Sequence, residues 1–174
     1  MGDKILVTYA SQTGTTAGVA EAIGQTLAES FTQVDVRRMQ DVTDLSPYRA
    51  VVAGSGIQNK QWLPEAMQFM RAHQGELARV PCAIFLVCMT LAMKNGETYR
   101  SHASDFLAPV RALVRPVSEG LFAGALDISK VPSFKDRLGF KISVATGVWS
   151  EGDHRDWDAV RAWAESISPL LLER

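Results

Sequence analysis

The stretch ILVTYASQTGTT, residues 5–16, decides the fold of this chain. It starts as an apolar run of the kind that forms a buried strand, and it passes into hydroxyl side chains around Gly14. An alanine-rich helical pattern over residues 16–30 follows directly. A strand that leads through a short loop into a helix is half of a βαβ unit, so this stretch predicts an α/β domain.

Short apolar runs alternate with helical patterns along the rest of the chain. The predicted strands are residues 4–9, 34–36, 50–55, 82–89 and 121–127, and the predicted helices are residues 16–30, 63–72, 100–114 and 156–172. Apolar strands separated by helices indicate a parallel sheet that is covered on both faces. We therefore predict a three-layer α/β sandwich around a five-stranded parallel sheet.

Length, composition and charge predict a single domain over residues 1–174, with an insertion at about 128–153 before the last helix. The net charge of −1 provides no basic surface for nucleic acid. No apolar stretch is long enough to cross a bilayer, and the N-terminus lacks the pattern of a signal peptide, so we expect a cytoplasmic protein. The three histidines fall on different predicted elements, so we predict no metal site.

Ligands of an open parallel sheet bind at the carboxyl ends of its strands, which directs attention to the loops there. The first loop, residues 11–16, carries four hydroxyl side chains before a helix whose unpaired N–H groups can bind an anion. No Lys or Arg lies between Lys4 and Arg37, so this segment offers the anion no charge partner and no P-loop motif. Alternatively, Ser11 or Thr13 merely caps the helix.

Two further loops follow the third and fourth predicted strands. In the second loop, residues 55–62, Gly56 provides either a close backbone approach or a positive φ angle. Trp62 lies against a flat ligand or packs in the core. In the third loop, residues 88–99, Thr90 and Leu91 face the ligand crevice, and Tyr99 is a ligand contact or a rim residue. Cys82 and Cys88 are interpreted as buried, reduced thiols.

With these three loops in order, the chain resembles the flavodoxin family. SQTGTT, residues 11–16, is similar to that family's phosphate loop, in which Ser/Thr-x-Thr-Gly-x-Thr holds the phosphate of FMN. The resemblance covers essentially the whole chain. It implies a flavodoxin-like sandwich with strand order 2-1-3-4-5 and FMN as the cofactor.

The resemblance also assigns FMN contacts residue by residue. The phosphate would be bound by Ser11, Gln12, Thr13, Gly14, Thr15 and Thr16, one side of the ring by Ser55, Gly56, Ile57 and Gln58, and the other side by Met89, Thr90 and Leu91. No catalytic side chain is implied, because the flavin carries the redox chemistry. A phosphate without a cationic partner would disfavour further negative charge on the ring and lower its potential.

Within the superfamily, the chain is similar to the menaquinone-dependent protoporphyrinogen oxidase branch. The segments that carry this likeness are YRAVVAGSGI, FLAPVRALVRP, LFAGALD, FKDRLGFKI and GDHRDWDAVRAWAESI. This likeness implies an FMN-dependent dehydrogenase of heme biosynthesis, with a porphyrinogen substrate and a quinone acceptor. Two alternatives remain open: a flavodoxin-type electron carrier for a redox protein partner, which the near-neutral charge weakens, and a cofactor-free binding scaffold.

The insertion carries an amphipathic pattern. Phe134, Leu138 and Ile142 recur at a spacing of four residues, which places them on one side of a helix, and Lys135, Arg137 and Lys141 flank them. A basic amphipathic segment over residues 130–147 can lie on the inner face of a membrane, where a quinone would be found. It can also pack on its own domain or against a second copy in a homodimer.

Overall fold

The computed structural model describes residues 2–173. The strands are β1 (Lys4–Ala10), β2 (Val34–Arg38), β3 (Tyr48–Gln58), β4 (Gln61–Trp62), β5 (Cys82–Cys88), β6 (Glu119–Ala123), β7 (Ala125–Leu126) and β8 (Gly152–Asp153). The helices are α1 (Thr15–Leu27), α2 (Pro64–Ala72), α3 (Gln74–Leu77), α4 (Arg100–Asp105), α5 (Ala108–Arg111), α6 (Phe134–Ala145) and α7 (Trp157–Ile167).

The central sheet confirms the predicted topology. Five strands run parallel in the order β2-β1-β3-β5-β6. β4 has two residues and pairs antiparallel with the end of β3, outside this order. The fourth and fifth predicted strands therefore correspond to β5 and β6, and the order is the predicted 2-1-3-4-5. All five parallel strands therefore place their carboxyl ends at one edge of the sheet, where the three loops were expected to meet.

The two faces of the sheet carry separate apolar cores, as the three-layer prediction requires. Successive side chains of a strand point to opposite faces, so Leu6 joins the core under α2, α4 and α5. Its neighbours Ile5 and Val7 join the core under α1 and α7. Residues 5–8 of β1 are fully buried on both faces, which explains the apolar run Ile5-Leu6-Val7.

An aromatic cluster anchors the core under α1 and α7. Phe85 on β5 is fully buried, with its ring centroid 6.2 Å from that of Phe122 and 6.1 Å from that of Trp163. On the neighbouring strand, a Cβ atom at Gly54 would lie 2.1 Å from the Phe85 ring. The glycine therefore makes room for the aromatic ring, which is the largest side chain of β5.

Three predicted elements differ from the structure. The strand predicted at 50–55 continues to Gln58 and turns back into β4, through Asn59 and Lys60 at φ angles of 51° and 61°. Two positive φ angles are typical of a tight hairpin turn, which Asn favours. The helix predicted at 100–114 is divided into α4 and α5, because Pro109 in the first turn of α5 has no N–H to continue the helical ladder.

The strand predicted at 121–127 is also divided. β6 ends at Ala123, and β7 leaves the sheet after Gly124 to pair antiparallel with β8. The two ends of the insertion are thus joined by a short two-stranded antiparallel sheet. Between them lies a helix, α6, in keeping with the rarity of long irregular loops. Within residues 2–173, no helix is both long enough and apolar enough to traverse a membrane.

The predicted apolar stripe of the insertion lies on α6 but does not pack on the domain. Phe134, Leu138 and Ile142 are 77%, 51% and 57% exposed. The opposite side of α6 carries Phe140, whose ring centroid lies 5.2 Å from that of Trp149. The interpretation that the stripe packs on its own domain is therefore wrong, because its three side chains lie on the exposed side of α6 and Phe140 faces Trp149 within the insertion.

Candidate functional site

The first loop forms a tight turn between β1 and α1. Gly14 has a φ angle of 86°, a left-handed conformation that glycine adopts without strain, and it occupies the cap position of α1. Its N–H donates to Ser11 Oγ at 3.0 Å, so Ser11 closes the loop. No side chain caps α1, so the interpretation of Ser11 or Thr13 as a mere helix cap is wrong.

The loop offers the donors that an anion needs. The first-turn N–H groups of α1 carry no side-chain cap, and no acidic residue in that turn neutralises the positive end of the helix. The hydroxyl oxygens of Thr13 and Thr15 lie 3.2 Å apart. The space beside the Gly14 Cα is open, with no atom within 4 Å of the place a Cβ would take. An anionic group fits this arrangement of N–H and O–H donors.

A cation from the far end of the chain reaches the first loop. The Nη1 of Arg155 donates to the Thr15 carbonyl oxygen at 3.2 Å, across 140 residues of sequence. Its guanidinium also lies 4.5 Å from the centre of the Trp157 ring. A Cβ atom at Gly18 would lie 2.6 Å from Nη1, so the glycine makes room for Arg155. The expectation that residues 5–36 offer no cation holds, and Arg155 brings one to the first turn of α1 from the far end of the chain.

The positive charge of Arg155 is partly compensated by the carboxylate of Asp153 on β8. Its Nε and Nη2 donate to the two carboxylate oxygens of Asp153 at 2.8 and 2.7 Å. These hydrogen bonds lower the pKa of Asp153 to about 2, against the desolvation that raises it. Through Arg155, this ion pair connects the end of the insertion to Thr15 of the first loop.

The ion pair between Asp153 and Arg155 predicts how the stability of the protein changes at acid pH. Because the folded-state pKa of Asp153 lies below its ordinary value of 3.8, the pair stabilises the protein above about pH 4 and is lost as the pH falls towards about 2. We expect Asp153→Asn to lower the free energy of unfolding at about pH 5, and the difference from wild type to vanish near pH 2. Urea titrations at several pH values measure it.

The matched control is Asp158→Asn. Asp158 also pairs with an arginine, Arg161 at 3.0 Å, but its side chain is 96% exposed, so this pair is expected to contribute little. A difference at Asp153 that stays constant between about pH 5 and pH 2 would contradict the role given to the ion pair.

The second loop packs directly on the first. A Cβ atom at Gly56 would lie 3.3 Å from Thr16 Oγ1, so Gly56 serves a close approach; its φ angle is not positive. At the rim, Gln12 Nε2 donates to Gln58 Oε1 at 3.4 Å. Ile57 and Gln58 are half-buried beside this contact. The two loops therefore form one continuous wall at the carboxyl edge of β1 and β3.

The side chain of Ser55 faces inward. Its hydroxyl accepts a hydrogen bond from the Leu63 N–H at 3.0 Å and donates to the Gly56 carbonyl oxygen at 2.7 Å. It is fully buried, so it braces the turn of the second loop. Trp62 is 2% exposed and belongs to the core, which confirms the core-packing interpretation for that residue. Tyr99 is 41% exposed, as a rim residue would be.

The third loop forms short turns of 3-10 helix at Met89–Ala92 and Gly96–Tyr99. Met89, Thr90 and Leu91 are half-buried, as residues that line an open crevice would be. The loop is held closed because the Gly96 N–H donates to the Met93 carbonyl oxygen at 2.8 Å. The predicted third-loop residues therefore share the carboxyl edge of the sheet with the first two loops.

One residue of this site was missed by the sequence analysis. Gly124 lies where β6 ends, and a Cβ atom there would lie 3.6 Å from Met89 Sδ and 3.7 Å from Thr15 Cγ2. Its N–H donates to the Cys88 carbonyl oxygen at 3.2 Å, and its own carbonyl oxygen accepts from the His154 N–H at 3.1 Å. Gly124 thus joins the first loop, the third loop and the insertion. The sequence feature that could have identified this residue is its position as a glycine inside the predicted strand 121–127.

The two cysteines are free and buried, as predicted. Burial raises the pKa of Cys82 to about 12, and burial likewise raises the pKa of Cys88 at the start of the third loop. A thiol with a raised pKa is a poor nucleophile. Among residues 2–173, no three His, Cys, Asp or Glu side chains are grouped so as to hold a metal ion.

A Ser/Thr loop at a helix N-terminus, facing two further loops at the carboxyl edge of a doubly wound parallel sheet, defines a flavodoxin-like α/β domain. Comparison with known families agrees, because residues 6–155 match the flavodoxin domain. The chain belongs to the flavodoxin domain family, and the cofactor of that family is FMN.

Individual relatives extend this result. The chain is 28% identical over 178 residues to a Leishmania major protoporphyrinogen IX dehydrogenase [quinone], covering 97% of this chain and 76% of that protein. Its fold is similar to that of an archaeal flavodoxin at 19% identity (TM-score 0.56, covering 98% and 99% of the two chains). It is also similar to a Fusobacterium nucleatum flavodoxin variant bound to flavin mononucleotide, at 10% identity (TM-score 0.51, covering 97% and 96%).

Proposed function

We propose that this protein is an FMN-dependent dehydrogenase that takes electrons from a porphyrinogen and passes them to a quinone. The observation that carries the substrate class is the likeness to the Leishmania major enzyme, which extends over 97% of the chain and so includes the insertion. The fold by itself does not distinguish a dehydrogenase from an electron carrier, so the substrate class rests on this likeness.

The convergence of the loops supports FMN as the cofactor. The phosphate would lie over Gly14, within reach of the free N–H groups of α1 and the hydroxyls of Ser11, Thr13 and Thr15. Arg155 would supply a partly neutralised positive charge beside it. The residues present therefore fit a phosphate monoester, with one distant cation in place of the lysine of a P-loop.

The remaining loops fit the flavin ring. Gly56, Ile57 and Gln58 would line one side of it, and Met89, Thr90 and Leu91 would line the other. Ser55 would support the first of these walls through its bonds to Leu63 and Gly56, and would not touch the ring with its hydroxyl. FMN supplies the redox chemistry when bound, and the chain supplies binding, orientation and exclusion of water.

The reaction class follows from the two partners. Each turnover removes two electrons and two protons from the porphyrinogen, and the quinone takes up two electrons and two protons to become a quinol. No acid–base side chain of this chain is required at a fixed position for that exchange, because solvent and the quinone can carry the protons. The protein's task is to hold donor and acceptor in turn against the same flavin.

Two measurements test the proposal in order. The absorption spectrum of the protein titrated with FMN is expected to show a bound, perturbed flavin; a protein that takes up no FMN refutes the cofactor assignment. The FMN-bound protein is then given protoporphyrinogen and a menaquinone analogue without oxygen, and porphyrin fluorescence should rise. If FMN binds but no porphyrin forms, the dehydrogenase assignment fails, and reduction of a redox protein partner would instead favour an electron carrier.

A further inference from the structure

The outer face of α6 is the largest apolar feature that the site does not use. Phe134, Leu138 and Ile142 form this outer stripe, and all three are more than half exposed. At 3.6 residues per turn they fall within about 80° of the helix circumference, so they form a continuous ridge. Elsewhere in residues 2–173 the large exposed apolar side chains are scattered among Tyr99, Val117, Val148 and Leu172.

The charges beside the outer stripe are of one sign. Helical geometry places Lys135 along one edge of the ridge and Lys141 along the other, and both side chains are exposed. Asp136, the one acid of α6, lies away from the ridge on the far side of the helix, and its N–H is bonded to the capping Ser133. The ridge is therefore apolar at its centre and positive at both edges.

The side of α6 away from the outer stripe faces the rest of the insertion. Phe140 packs on Trp149, and Arg137, Lys141, Val144 and Ala145 line a cavity of about 470 Å³ together with Ile128, Ser129 and Glu151. Ser133 caps the first turn. These contacts leave every residue of α6 at least partly exposed, and the outer stripe is its most exposed apolar part.

We propose that the outer stripe docks on an anionic phospholipid surface, with Phe134, Leu138 and Ile142 at the acyl boundary and Lys135 and Lys141 at the headgroups. Long lysine side chains can lie along the apolar ridge while their ammonium groups reach anionic headgroups. A second copy of the chain fits less well, because a symmetric contact would bring four lysines together and α6 itself places no acid at either edge of the ridge.

Docking through this face would also hold the flavin site near the surface. The two ends of the insertion are tied to the site, to the third loop by Gly124 and to the first loop by Arg155 on Thr15. A lipid-borne acceptor would then be reached without release of the protein. The docking itself needs no electron transfer, so it stands or falls independently of the proposed function.

The test is cosedimentation of the FMN-titrated full chain with phosphatidylcholine vesicles, with and without phosphatidylglycerol. We expect binding only to the vesicles that contain phosphatidylglycerol, and weaker binding as salt rises. The variant Phe134→Ser, Leu138→Ser, Ile142→Ser should lose about tenfold or more in apparent affinity, and Lys135→Glu with Lys141→Glu should lose at least as much. Thermal unfolding should be unchanged in both, because these side chains are exposed.

Matched controls separate the face from general surface effects. Val117→Ser with Leu172→Ser removes exposed apolar side chains elsewhere, and Arg71→Glu with Arg79→Glu reverses two exposed charges elsewhere; neither should change vesicle binding. Wild type that fails to bind phosphatidylglycerol vesicles overturns the proposal. So does a concentration-dependent dimer in sedimentation equilibrium that the triple serine variant abolishes, because it would assign the outer stripe to a second copy.

Discussion

Thr13→Asp is expected to weaken FMN binding by about 100-fold or more. Thr13 lies in the first loop, with its hydroxyl 3.2 Å from that of Thr15, where the phosphate is proposed to bind. A bound phosphate carries about −1.5 to −2 charges. A carboxylate placed about 4 Å from it opposes binding by roughly 4 kcal/mol per unit of charge near a protein surface, which exceeds the ~2.7 kcal/mol of a 100-fold loss.

The control for this variant is Thr13→Asn, which has the size of Asp without its charge and should cost no more than a few-fold. Quenching of FMN fluorescence measures both affinities. Riboflavin, which has the same ring but no phosphate, should bind the Asp variant as it binds wild type. If Thr13→Asp and Thr13→Asn bind FMN equally, or if riboflavin loses affinity as FMN does, the phosphate does not lie in the first loop.

Phe85→Ala should lower the free energy of unfolding by about 3–5 kcal/mol, the usual cost of removing a buried phenyl ring. Phe85 is fully buried between Phe122 and Trp163, and the backbone of Gly54 closes the remaining side of the ring. A domain of this size is typically stable by about 5–15 kcal/mol, so this single change removes a large share of its stability. Urea denaturation followed by circular dichroism gives the value.

Phe134→Ala provides the matched comparison, because it deletes the same ring from a site that is 77% exposed. We expect its effect on unfolding to stay within about 0.5 kcal/mol. Equal losses for the two variants would show that Phe134 is packed in solution and would remove the basis for the outer stripe on α6.

Most of the architecture could be predicted from the pattern of the chain. The apolar run before SQTGTT must be buried on both faces, and only a sheet with helices on both sides buries it so. The first loop could be located for the same reason, since it follows the first such strand and precedes an amphipathic helix. These are properties of short contiguous segments, which sequence periodicity reports directly.

The misplaced elements have local causes that a pattern of apolar residues does not report. Residues 121–127 look like one strand, but Gly124 lies against Met89 and Thr15, and the chain leaves the sheet there to form β7. Residues 56–62 look like a loop, but two residues with positive φ angles fold them into a hairpin with β3. In both cases backbone geometry overrides hydrophobic periodicity: at Gly124 it goes with contacts distant in sequence, and at residues 56–62 with a tight local turn.

The sequence by itself determined the class of fold, the place of the first loop and the amphipathic pattern of the insertion, because each depends on neighbours along the chain. Only the tertiary structure decided that Arg155 reaches Thr15 across 140 residues, that Gly18 makes room for it, and that the outer stripe of α6 faces away from the domain. Those features depend on how elements distant in sequence pack together, and that packing follows from the shape of the whole core.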